Sequence, residues 1–146
     1  MSMDRDPIKV STALKFAKEY YSKEGYDHAM RVAGYVAEME IIPREYRDEC
    51  VALAIMHDLC EDTNFSESYS FQSLPEYFKN ALILLTKPKE VSYVDYCKEL
   101  RCTDFTNWKM CAYWVKLADM KDHLCQKETL TDRLKEKYLE GLAELL

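Results

Sequence analysis

Apolar residues recur at three- and four-residue intervals along most of the chain, the spacing of helices that each bury one face. Leu14, Ala17 and Tyr20/Tyr21 form the first such stripe, with Phe16 on its flank. It predicts a helix over 11–21, capped by Ser11 or Thr12 and ended by a break at Gly25. His28, Val32, Tyr35, Val36 and Met39 mark a second helix, which stops before Pro43. A third begins near Arg44 and runs through Cys50-Val-Ala-Leu-Ala-Ile-Met-His-Asp-Leu, apolar nearly all round, as expected of a central buried helix. Residues 61–73 are polar and read as a loop. Further helices are predicted over 75–85, 93–100, 106–124 and 132–146, separated at Pro88 and at Thr103/Asp104.

The pattern therefore predicts an all-α domain spanning residues 1–146, with about six to eight helices. Three glycines and four prolines leave little turn material for a β-rich alternative. A chain of 146 residues buries roughly 68–70% of its unfolded surface, so it needs neither a disulfide nor a metal merely to fold.

Ionisable residues interrupt this apolar pattern at a few places. His57-Asp58 ends the most apolar helix, and burying such a pair costs several kcal/mol unless it is bonded or coordinated. A plain reading is a core histidine bonded to a backbone carbonyl, with Asp58 capping a turn. Glu61 and Asp62 follow three and four residues after Asp58, and three carboxylates on one turn favour a divalent cation between them. The alternative for either one is a solvated loop residue. His28 sits on the apolar stripe of the second helix, and Asp119 follows Trp114-Val-Lys-Leu-Ala. Together, His28, His57, Asp58 and Asp119 form a mixed N/O donor set suited to Mn2+, Fe2+, Co2+ or Zn2+ rather than Ca2+. Asp122, one turn beyond Asp119, has two readings, a group supporting the metal ligands from behind or a solvated residue, the second being the plainer.

The order His28 … His57-Asp58 … Asp119 resembles the signature of HD-superfamily phosphohydrolases. Within that superfamily, His28-Ala-Met-Arg-Val-Ala, Ala54-Ile-Met-His-Asp-Leu-Cys-Glu-Asp-Thr63 and Val115-Lys-Leu-Ala-Asp119 are similar to motifs of the RelA/SpoT group, which includes small stand-alone alarmone hydrolases. Leu85-Thr-Lys-Pro and Tyr93-Val-Asp-Tyr96 add to the likeness, which spans roughly residues 10–125. The resemblance implies an orthogonal helical bundle that uses manganese to hydrolyse the 3′-pyrophosphate of (p)ppGpp or a related nucleotide. It implies His28, His57, Asp58 and Asp119 as metal ligands, with Glu61 and Asp62 activating water. The family's asparagine four residues after the last metal-binding aspartate is His123 here, a candidate substrate contact. Its basic loop ahead of the first histidine is reduced to Ser22–Tyr26, in which Lys23 is the surviving candidate. Tyr93 and Tyr96, with Lys98 and Arg101, are candidates for the base and phosphate side. A nucleotidase or phosphomonoesterase, or a silent metal-stabilised nucleotide sensor, fits the same ligands.

The net charge of −6 argues against nucleic acid or an anionic membrane as partner, and leaves room for a small phosphorylated one. No apolar run has membrane-spanning length, and the polar start gives no secretory signal, so the expected location is cytoplasmic. The six cysteines then read as small buried hydrophobes; Cys97 and Cys102 lack the second pair a zinc site needs.

Overall fold

The computed structural model of the chain describes residues 8–101 and 107–146. Helix α1 is Val10–Tyr20, α2 Lys23–Glu38, α3 Arg44–Met56 and α4 Leu59–Asp62. After a 3-10 turn at Phe65–Glu67 come α5 Tyr69–Gln72, α6 Glu76–Leu84, α7 Tyr93–Leu100, α8 Asn107–Cys125 and α9 Asp132–Leu145. Among the described residues every regular element is helical, as expected. The predicted helix start at 106 and the break at Thr103/Asp104 lie outside the described residues.

Three details of the predicted pattern change. The cap of α1 is neither Ser11 nor Thr12: extended Lys9 begins the helix, its carbonyl accepting from the N–H groups of Thr12 and Ala13. The break before α2 falls at Tyr21–Ser22 rather than Gly25. Ser22 is extended and its hydroxyl accepts from Gly25 N at 3.2 Å, which places the glycine inside the first turn. Residues 61–73, polar in sequence, fold into three short helical turns. Thr63 and Ser68 supply side-chain hydrogen bonds to the backbone there, and Phe65 and Phe71 anchor the segment in the core. The Phe65 ring meets Phe16 at 5.1 Å and Tyr20 at 5.2 Å.

Helices α3 and α8 form the middle of the bundle. α3 packs on α1, α2, α6 and α8, while α8 also packs on α2, α6, α7 and α9. Ala52 to Met56 of α3 are all buried, as the unbroken apolar run predicts. Ala13 and Ala17 are the buried residues of α1, with Leu14 and Phe16 packed at the core's edge. α9 lies closely against α7. A Cβ at Gly141 would come within 2.5 Å of the Tyr93 ring and 2.9 Å of Cys97 Sγ, so only glycine fits as the helices stand. Among the described residues no helix is long and apolar enough to cross a membrane. Cys50, Cys97 and Cys111 are buried and unbridged, matching their reading as small hydrophobes, whereas Cys125 is exposed.

Candidate metal centre

Four side chains from three parts of the chain converge where α2, α3 and α8 meet. His28 comes from α2, His57 and Asp58 from the end of α3, and Asp119 from α8. One donor atom from each lies within 4.8 Å of all the others. His28 Nε2 is 2.9 Å from Asp119 Oδ1 and 3.5 Å from Asp58 Oδ2; His57 Nε2 is 3.3 Å from Asp58 Oδ2 and 3.4 Å from Asp119 Oδ1. Two donors about 2.1 Å from one ion lie about 3.0 Å apart at a right angle and about 3.4 Å apart at the tetrahedral angle. These four distances are compatible with ligands around one cation.

His57 supplies the sharper test. Its Nδ1 lies 2.6 Å from the Ala54 carbonyl, which can only accept, so Nδ1 carries the proton. Nε2 is the nitrogen left facing the cluster; it is buried and makes no hydrogen bond, although carboxylate oxygens of Asp58 and Asp119 lie 3.3 and 3.4 Å away. Once that nitrogen gives up its proton, two carboxylates and an imidazole face one another with no hydrogen bond between them, an arrangement a cation would satisfy. The plain reading of His57 as a carbonyl-bonded core histidine thus holds for one ring nitrogen only. The residues fit a divalent metal.

The turn that presents Asp58 is held from α1. The Tyr21 hydroxyl donates to Ile55 O at 2.8 Å and accepts from Asp58 N at 3.2 Å. On α8, Lys116 is buried and its Nζ donates to Asp119 Oδ2 at 2.9 Å, opposite the face turned to the histidines. Burial would raise the Asp119 carboxyl, but Lys116 and the surrounding imidazoles hold it well below the ordinary carboxylate range. Burial likewise opposes charge on His57, yet Asp58 and Asp119 push its pKa well above the usual value. His28 is raised in the same way, chiefly by Asp119. Asp62, by contrast, is pushed up to about 6 by partial burial and by the charges of Asp58 and Glu61.

Asp122 is fully buried, not solvated as its sequence position suggests. It accepts from His28 Nδ1 at 2.6 Å and from Arg31 Nε and Nη2 at 2.8 and 3.1 Å. The signal in sequence was the pair of three-residue spacings, His28–Arg31 and Asp119–Asp122, on two helices that pack together.

His57, Asp58 and Asp119 of the cluster line a cleft of about 540 Å³. Glu61 and Asp62 line it beside His57 and Asp58, and Glu61 Oε1 accepts from Lys87 N at 3.1 Å. Tyr93 forms part of one wall, its hydroxyl donating to Met120 Sδ at 2.6 Å. His123 also reaches the cleft. Its Nε2 is 3.1 Å from Asp119 Oδ1, and its ring stacks on Tyr138 at 4.5 Å and 10°. Lys23 is not brought there; it is exposed and pairs with Asp27 at 2.9 Å. Lys98 faces a separate surface groove and Arg101 is exposed. The cations that do line the cleft are Lys87, Lys89, Lys116 and Lys137, none singled out by sequence. Lys89 and Lys137 have no carboxylate within ion-pair distance among the described residues, and Lys137 Nζ lies 4.7 Å from the Tyr93 ring centre. No protein-family model and no curated protein matches this chain.

Proposed function

We propose that the protein is a metal-dependent phosphohydrolase of the HD type that removes the 3′-pyrophosphate of (p)ppGpp or a closely related nucleotide. The observation that supports it most is the buried Nε2 of His57, without a hydrogen bond and facing two carboxylates in the lining of a lysine- and tyrosine-lined cleft. His28, His57, Asp58 and Asp119 would hold the ion, taken as Mn2+ from the family resemblance. When bound, it supplies Lewis-acid polarisation of a phosphoryl oxygen and makes water a better nucleophile at neutral pH.

The remaining chemistry belongs to side chains. Water attacks the phosphorus attached to the 3′ oxygen, and the P–O3′ bond breaks as the new P–O bond forms. Glu61 or Asp62, on the cleft wall next to Asp58, takes the proton from that water. The departing 3′ oxygen takes up a proton from that carboxyl or from solvent, leaving pyrophosphate and the 3′-hydroxyl nucleotide. Lys87, Lys89 and Lys137 offset phosphoryl charge, and Lys116 keeps Asp119 ionised for its ligand role. The Tyr93 and Tyr138 rings and the partly exposed His123 give a base a surface to stack on. Three lysines around one cleft besides Lys116 suit a substrate with several phosphates better than a monophosphate.

The test is product analysis of the full chain with added Mn2+, comparing ppGpp with a panel of nucleoside monophosphates. Pyrophosphate and GDP from ppGpp are expected. Orthophosphate from monophosphates would replace this reading with a nucleotidase, and absence of any product across the panel would leave a binding role only.

A further inference from the structure

Asp122 sits where a liganding residue would be wasteful, because both of its oxygens are already engaged. Oδ2 accepts from His28 Nδ1 at 2.6 Å and Arg31 Nη2 at 3.1 Å. Oδ1 accepts from Arg31 Nε at 2.8 Å and lies 3.4 Å from Gln126 Nε2. The Arg31 guanidinium thus grips the carboxylate with two donors, the arrangement that best fixes a carboxylate in both position and plane. Asp122 is only 1% exposed, whereas Arg31 is 39% exposed, so the clamp runs from the surface of α2 to a buried anion on α8. Between them and the metal donors stands one ring. His28 meets Asp122 through Nδ1 and faces Asp119 and Asp58 through Nε2.

We infer that Asp122, held by Arg31, is a positioning residue for the metal centre, fixing the His28 ring so that Nε2 is the nitrogen presented to the ion. This rests on the proposed metal site. A carboxylate bonded to Nδ1 keeps the proton on that nitrogen, locks the ring plane and strengthens the opposite nitrogen as a donor to a cation. His57 achieves the same end by a different route, with the Ala54 carbonyl on its Nδ1. The two histidines therefore present the same nitrogen to the cluster, one oriented by its own helix and the other by a partner helix. Because Arg31 and Asp122 belong to α2 and α8, their contact also ties together the two helices that supply His28 and Asp119.

Mn2+ affinity of the full-length chain, measured by electron paramagnetic resonance titration, tests this directly. Asp122→Asn is expected to bind Mn2+ about 10–100-fold more weakly at unchanged stoichiometry, with Arg31→Met shifted the same way and Arg31→Lys recovering part of the loss. A second readout is side-chain 15N NMR of the zinc-loaded protein. The parent is expected to show zinc on His28 Nε2 only, and Asp122→Asn a mixture of Nε2- and Nδ1-coordinated rings. Parent-level Mn2+ affinity in folded Asp122→Asn overturns the inference. If that variant does not fold, parent-level affinity in Arg31→Met, altered at a half-exposed residue, overturns it equally. His28→Ala separates the two levels of the claim. Lost binding in His28→Ala with intact binding in Asp122→Asn defeats the positioning role alone, whereas intact binding in His28→Ala defeats the metal site itself.

Discussion

Two adjacent tyrosines give a sharp test of how the His57-Asp58 turn is held. The Tyr21 hydroxyl bridges Ile55 O and Asp58 N at 2.8 and 3.2 Å, whereas the Tyr20 ring packs on Phe65 with no hydrogen bond to its hydroxyl among the described residues. Tyr21→Phe removes one oxygen, keeps the ring volume and opens no large cavity. Each lost hydrogen bond is worth roughly 0.5–1.5 kcal/mol, so the pair contributes about 2 kcal/mol. In a domain of this size that corresponds to a melting temperature lower by about 4–8 °C. Tyr20→Phe should stay within about 0.5 kcal/mol of the parent. Thermal melts of the two metal-free variants, followed by circular dichroism, measure both values. Tyr21→Phe is also expected to weaken Mn2+ binding, because Asp58 follows directly from the bridged turn, whereas Tyr20→Phe is not. If the two variants melt together and bind alike, the hydroxyl bridge does not hold the turn.

Lys116→Met keeps side-chain length but removes the cation 2.9 Å from Asp119 Oδ2. The metal-free protein should lose on the order of 3 kcal/mol, and less when saturated with Mn2+, which melts with and without metal would reveal. Gly141→Ala drives a Cβ to 2.5 Å from the Tyr93 ring. Overpacking of about 1–3 kcal/mol outweighs the roughly 1 kcal/mol helix-propensity gain, so urea unfolding should show a net loss of about 1 kcal/mol. His28 and His57 have raised pKa values without metal, so their stabilisation is complete below the unfolded value of about 6.5 and is lost as pH rises through the folded values. Asp58 and Asp119 are lowered, so theirs is present above about 3.9 and lost as pH falls through the folded values. Metal-free melting temperatures should therefore fall as pH rises above about 6.5, while Mn2+ affinity rises over the same range because the ligands must shed protons. Glu61→Gln or Asp62→Asn should cut turnover by about 10²–10⁴-fold with Mn2+ stoichiometry unchanged, read by parallel kinetics and metal analysis.

The helices and the four converging donors were legible in sequence for one physical reason. Burying an ionisable group on an apolar helix is costly, so His28, His57 and Asp119 stand out against the stripes that carry them. The same logic did not decide between the two readings of Asp122 and favoured the solvated one, because three residues after a buried aspartate on α8 a second carboxylate reads as helix-end polarity. Its burial depends on Arg31, which lies on another helix. The lysines of the cleft were illegible for a related reason. Lys87, Lys89 and Lys137 stand in polar surroundings in sequence and become a cluster only when α9 folds against α7 beside the turn after α6. Lys23 shows the converse: its nearness to His28 in sequence did not bring it to the cleft, because the first turn of α2 pairs it with Asp27. The segment after Asp62 hid its helical turns because Thr63 and Ser68, loop residues by composition, serve as local caps.

The most direct measurement is anomalous diffraction at the manganese edge from a crystal of the full chain grown with Mn2+. One peak about 2.0–2.2 Å from His28 Nε2, His57 Nε2 and a carboxylate oxygen of both Asp58 and Asp119 is expected. A map with no peak there, and with a water bonded to His57 Nε2 instead, would contradict the metal centre and the hydrolase built on it.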